Sequence, residues 1–210
     1  MRHLAALVIS VLVLLAPARA QWDTAGAARS WCPVYAGGSL AAVGTAFTYV
    51  PPMRALQVDL RDAVQADGHS RLFVEDYVQY ATVALPPALN LCGLESRHGF
   101  WKMSLLEGGS YLFGTALLHA GKYGLKVQRP DNSAFNSFPS GHTFTAFTGA
   151  EVLRREYGEE YPWLAVAGYA VATFVGAMRV HNNRHWLGDV LAGAGLGVLS
   201  VSAVYWIFDN

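Results

Sequence analysis

Two kinds of segment alternate along the chain: long runs with no charge, and shorter stretches in which charges cluster. Tyr77 to Leu94 has no charged residue over 18 positions, Tyr161 to Met178 none over 18, and Val190 to Phe208 none over 19. Each approaches the ~20 residues that an α-helix needs to cross a bilayer core of ~30 Å. Met103 to Gly121 and Ser140 to Tyr157 are also apolar, but Glu107 and His119 interrupt the first and Glu151 the second. Such groups are expected to face a bundle interior or to lie near a helix end, and Glu107 is expected to make an interior hydrogen bond between helices. From Arg54 to Gln79, Leu56, Leu60, Val64, Leu72, Phe73, Asp76, Tyr77 and Tyr80 recur at helical spacing among charges, which predicts short amphipathic helices. Alternating runs bounded by turns, the mark of strands, are missing. The expected fold is all-α: a helical bundle with about five membrane-spanning helices.

The first 20 residues have a different pattern. Arg2 gives a positive start, Leu4 to Leu15 is apolar apart from Ser10, and Ala18-Arg19-Ala20 offers small residues where a signal peptidase reads. A helix of that apolar run would rise only about 18 Å, so the segment reads as a signal peptide cleaved after Ala20. The expected organisation is residues 1–20 as signal peptide, 21–76 as an N-terminal periplasmic or interfacial segment, and 77–210 as the helical domain. Gln21 to Met53 is Gly-rich and weakly apolar, and yields no predicted element. Export would permit a Cys32–Cys92 disulfide, but Cys92 sits in the apolar run Ala88 to Leu94, which predicts a buried free thiol.

Composition narrows the function classes. Hydrophobic residues make up 53% of the 210 and charged residues 14%, against about 25% charged in soluble domains. Fifteen basic and fifteen acidic residues cancel, so there is no broad basic field to attract nucleic acid. Two cysteines cannot build an all-thiolate zinc site. With the mature amino terminus outside, the five spans put Arg97, Lys102, Arg154 and Arg155 in inner loops, as the positive-inside tendency prefers. Lys122, Lys126, Arg129, Arg179 and Arg184 then lie outside and require another explanation.

Chemistry supplies one. Lys122 precedes Arg129-Pro130 by seven residues, Pro139-Ser140-Gly141-His142 opens an apolar run, and Arg179, His185 and Asp189 follow two spans later, back on the same membrane face. Free amide groups and the helix dipole at Ser140 and Gly141 favour an anion. Arg129 and Arg179 can grip phosphoryl oxygens bidentately, and Lys122 as a point charge. His185 and Asp189 are four residues apart and share a face if helical, so the carboxylate can hold one ring nitrogen and leave the other as nucleophile. His142 can protonate a leaving oxygen. His3, His69, His98 and His119 fit no such pattern and read as surface or structural. Gly188 to Gly197 reads as a stretch permitting close helix packing.

These three motifs resemble those of the type 2 phosphatidic acid phosphatase superfamily in order and spacing, with Met178 where the family has Ser before its arginine. The resemblance implies a metal-independent, cofactor-free phosphatase working through a phosphohistidine. His185 would be the nucleophile, His142 the acid and Asp189 the orienting carboxylate, while Lys122, Arg129, Ser140, Gly141 and Arg179 would bind phosphate. It also implies a multi-pass protein of the bacterial inner membrane with its site facing the periplasm. Its substrate would be a phospholipid or isoprenoid phosphate: undecaprenyl diphosphate, phosphatidylglycerol phosphate or lipid A. A soluble periplasmic acid phosphatase would share the same residues, as would the much longer vanadium haloperoxidases. A non-catalytic lipid-binding membrane protein would have no need of the complete set.

Overall fold

The computed structural model describes residues 31–68 and 70–208, and within them every regular element is an α-helix. The expected signal peptide, with His3, and His69 lie outside the described residues. The helices are α1 (Cys32–Tyr49), α2 (Pro51–Gln65), α3 (Val74–Val78), α4 (Ala81–Leu91), α5 (Gly99–Leu125), α6 (Gly141–Tyr157), α7 (Pro162–His181) and α8 (Leu187–Phe208). Proline stands in the first turn of α1, α2 and α7, where its missing N–H costs nothing and its fixed φ favours the helix. Left-handed backbone marks other boundaries, at Gly93 after α4, Gly99 at the start of α5 and Lys126 after it.

α6 is the central element, buried along nearly its whole length from Thr143 to Tyr157. It packs against α4, α5, α7 and α8. The core around it is built from Val152, Leu153, Val201 and Tyr205 towards one end, and from Phe147, Ala150, Val175 and Val198 in the middle. Glu151, inside this core, is bound by Arg154 at 2.7 and 2.8 Å, by Arg155 at 2.8 Å and by the Tyr169 hydroxyl. A buried carboxylate is tolerable on such terms because its charge is paired and its lone pairs are filled.

Several sequence expectations are revised. Tyr77 to Leu94 is not one span: the chain turns at Gln79 and Tyr80, and α4 has only 11 residues, a rise of about 16 Å against a core of ~30 Å. Ser140 to Tyr157 forms the 17-residue α6, which is covered by neighbouring helices. Among the described residues, α7 and α8 are the helices long and apolar enough to cross a membrane. Cys92 is exposed rather than buried, because α4 ends at Leu91; no disulfide joins it to Cys32. Glu107 is buried, but its Oε1 has no hydrogen-bond partner among the described residues.

The stretch 21–53, which gave no predicted element, contains α1, and α1 lies along α8. Small residues on both helices let the backbones touch. A methyl group added at Gly44 would come within 2.5 Å of the Ala192 nitrogen, and one at Gly195 within 2.4 Å of the Gly37 oxygen. Real side-chain carbons cannot approach so closely, so the Gly188–Gly197 stretch does support close packing, against α1 on one side and α6 on the other. Outward-facing apolar side chains complete the picture: Leu105, Leu112 and Leu117 on α5, Val166 and Phe174 on α7, Ile207 and Phe208 on α8 are all exposed.

Candidate active site

The C-terminal ends of α5 and α7 and the N-terminal ends of α6 and α8 meet at one end of the bundle, and the three sequence motifs occupy those ends. The α7–α8 connection turns tightly, since the amides of both Arg184 and His185 donate to the Arg179 carbonyl, at 3.0 and 3.2 Å. That turn brings His185 back towards α8. Asp189 sits in the first turn of α8, and its Oδ2 accepts the Trp186 amide at 2.9 Å, which satisfies a donor that the helix start would leave orphaned. The same oxygen lies 3.5 Å from His185 Nδ1. The carboxylate therefore caps its helix and faces the imidazole at once.

Ser137 completes this group and was not anticipated. It is fully buried, its hydroxyl donates to Asp189 Oδ2, and Ser137 Oγ itself lies 3.4 Å from His185 Nδ1. No spacing rule singles out a serine two residues before Pro139; the fold places it there by bonding its amide to the Val127 carbonyl at 2.9 Å. Ser137→Ala is expected to leave one Asp189 oxygen short of a donor and to slow turnover about tenfold, the value of one hydrogen bond to a charged group. Steady-state kcat of the purified variant measures it.

The second motif is joined to the third through the main chain. The Ser140 amide donates to the Asp189 carbonyl at 2.9 Å, and Ser140, extended at φ −71° and ψ 118°, precedes the first turn of α6. The amides of that turn face this end of the bundle. The cations close the rim: Lys122 Nζ donates to the Asn136 carbonyl at 2.8 Å and Arg129 Nε to the Asn136 side-chain oxygen at 2.9 Å. Asn136 thus fixes both. Arg184, which had no assigned role, pairs with Asp131 at 2.7 Å and steadies the same loop.

Arg179 and His142 have partners outside the motifs. Arg179 NH1 contacts Glu75 at 3.2 Å and Asp76 at 3.1 Å, while its Nε is buried with no hydrogen-bond partner among the described residues. His142 Nε2 lies 2.8 Å from Asp76 Oδ1. Lys122, Arg129, Ser140, Gly141, His142, Arg179, His185 and Asp189 are therefore gathered at one place from four helix ends and the two connections between them. His98 is elsewhere, bound through Nδ1 to Glu156 at 2.9 Å, and His119 stacks on Tyr123.

Electrostatics favour a neutral His185. Burial, then the positive charges of Arg179, Lys122 and Arg129, hold its imidazole well below the usual range. The site thus combines an unprotonated ring nitrogen, a carboxylate behind it, three cations and a helix start. Such a set suits attack on a group that carries several negative oxygens.

These features place two histidines, a carboxylate and a cluster of cations at one end of a helical bundle. The sequence pattern of the PAP2 superfamily matches residues 101–210, and the chain belongs to that superfamily. A lipid A 1-phosphatase from Porphyromonas gingivalis is 47% identical over 119 residues, which are 56% of this chain and 26% of the relative. The match thus takes in about a quarter of that protein. The fold is shared with LpxE of Aquifex aeolicus, at a TM-score of 0.57 and 23% identity, over 72% of this chain and 95% of that one. A PAP2-type phosphatidylglycerolphosphate phosphatase from Bacillus subtilis aligns over 100% of this chain and 97% of its own, with 20% identity and a TM-score of 0.45.

Proposed function

We propose that the protein is a membrane phosphatase that removes phosphate from a lipid phosphate, with a lipid A phosphate as the foremost candidate substrate. The observation that carries the reading is the convergence of Lys122, Arg129 and Arg179 with His142 and the His185–Asp189 pair on the start of α6. The likeness to the Porphyromonas gingivalis protein supports lipid A over the other candidate lipids. The apolar α7 and α8, together with the exposed leucines of α5, support a site held at headgroup depth in a bilayer. The inner membrane, with the site on the periplasmic face, fits the signal-like first 20 residues.

In this mechanism His185 Nδ1 faces Asp189 and Ser137, which leaves Nε2 to attack phosphorus. The N–P bond forms as the bond from phosphorus to the leaving oxygen breaks, and His142 gives that oxygen a proton. Lys122, Arg129, Arg179, the Ser140 hydroxyl and the Gly141 amide hold the phosphoryl oxygens as charge develops, the Ser140 amide being taken by the Asp189 carbonyl. Water then attacks the phosphohistidine, His142 takes its proton, and inorganic phosphate leaves. Asp189 stabilises the imidazolium character that His185 acquires on the way.

Phosphate release by the detergent-purified protein, with a chelator present, tests this against a panel of lipid A, phosphatidylglycerol phosphate, undecaprenyl diphosphate and soluble phosphate esters. Release from lipid A in preference to the others is expected. Release from soluble esters alone, by protein that an alkaline wash strips from membranes, would replace this reading with a periplasmic acid phosphatase.

A further inference from the structure

The five-residue helix α3 is about a hundred positions from the third motif, yet it sets two carboxylates against the site. Glu75 is fully buried, and its Oε1 accepts from Arg179 NH1 at 3.2 Å and from Asn182 Nδ2 at 2.6 Å. Asp76 Oδ1 meets the same Arg179 nitrogen at 3.1 Å and His142 Nε2 at 2.8 Å, while Oδ2 meets Arg71 at 3.3 Å. The approach of this segment is fixed from α7. Asn182 grips both main-chain groups of Leu72, at 2.7 and 3.1 Å, and Gln65 donates to the His181 carbonyl at 2.9 Å.

Resting on the phosphatase reading above, we propose that Asp76 is a positioning residue for the reaction, holding His142 by Nε2 so that Nδ1 delivers the proton to the leaving oxygen. Glu75 and Asp76 together aim Arg179. The arrangement resembles the way Asp189 holds one nitrogen of His185, so each of the two histidines has its own carboxylate.

An alternative is that Asp76 occupies the phosphate position and must be displaced. The guanidinium argues against it. Both carboxylates share NH1, whereas Nε has no partner among the described residues, so the carboxylates leave part of the guanidinium's donor set unused. Asp76 is also tied from behind by Arg71 and through its carbonyl by Gln79 at 2.8 Å. A carboxylate so anchored acts as a fixed wall of the site.

The groups facing His142 come from every neighbouring element: Asp76 on α3, Arg179 on α7, Arg129 on the α5–α6 loop and His185 on the α7–α8 turn. Burial, then Arg179, lowers the His142 imidazole pKa to about 4, and Asp76, the anionic group in contact, works against that fall. An acid must carry its proton, so activity attributable to it falls as pH rises through its titration. Removing the carboxylate moves that fall to lower pH.

The test compares Asp76→Asn and His142→Ala, singly and together, on an alkyl phosphate, whose leaving group needs a proton, and on p-nitrophenyl phosphate, whose leaving group does not. Asp76→Asn is expected to slow the alkyl ester about tenfold or more and the aryl ester about threefold or less. The alkaline limb of kcat/KM for the alkyl ester should shift acidwards by about one pH unit, and the double variant should be slower than His142→Ala alone by no more than about the threefold seen on the aryl ester. Equal losses on both esters with lowered thermal stability would reduce Asp76 to a structural role and overturn the proposal. Tighter inhibition by inorganic phosphate with the leaving-group dependence unchanged would overturn it in favour of displacement. If the wild type hydrolyses neither ester nor any lipid phosphate, it is the phosphatase reading that fails. Titration of the His142 ring by nitrogen NMR then decides the Asp76 contact without turnover: an acidward shift in Asp76→Asn supports it, and an unchanged curve overturns it.

Discussion

His185→Ala is expected to lower phosphate release by at least about a thousandfold while the protein remains folded, because it removes the imidazole that Asp189 and Ser137 hold for attack. His142 is committed to Asp76, and Lys122 and Arg129 are held by Asn136. The wild type, quenched in acid-free denaturant after exposure to labelled substrate, should carry an alkali-stable, acid-labile phosphoryl group that the variant lacks. The pH profile gives a second check on the same residue. A nucleophilic imidazole must be unprotonated, and burial with Arg179, Lys122 and Arg129 nearby depresses its proton affinity. The acid limb of kcat/KM, which reports the free enzyme, is therefore expected to lie below the ordinary imidazole value of about 6.5. A limb at or above that value would show that the surrounding cations do not act on His185 as the geometry requires.

The second large effect is on stability. Arg179 and Glu75 are both buried, and removing one member of such a pair leaves the other charged and desolvated. Arg179→Ala is expected to cost about 3–5 kcal/mol in unfolding free energy, in addition to the loss of phosphate binding. The two losses can be separated. Adding Glu75→Gln to Arg179→Ala removes the stranded charge, so thermal unfolding in detergent should recover much of the way towards wild type. Phosphate release should not recover, since no guanidinium remains to hold the transferring group. Joint recovery of both would mean that Arg179 serves only to neutralise Glu75.

What was readable in the sequence follows the range over which each signal acts. The motif residues were legible because short spacings encode them: a seven-residue interval joins Lys122 to Arg129, and an i to i+4 interval joins His185 to Asp189. Ser140 and Gly141 announced themselves as a helix start. Glu75 and Asp76 gave no such signal, since on sequence alone they are two charges on a short amphipathic helix, and their partner Arg179 is over a hundred positions away. Ser137 was hidden for the same reason. Among the helices, α7 and α8 were evident from uncharged length. Tyr77 to Leu94 has the same apolarity, but hydropathy does not register the turn at Gln79 and Tyr80 that cuts it short. α1 escaped notice because its small residues depress its apolar signal, although those same residues are what fit it against α8.

The bond between the Ser140 amide and the Asp189 carbonyl uses no side chain. Because it needs main-chain atoms alone, proline at 140 excepted, it sets the spacing between the turn that carries His185 and the helix start that carries His142 without help from either side chain.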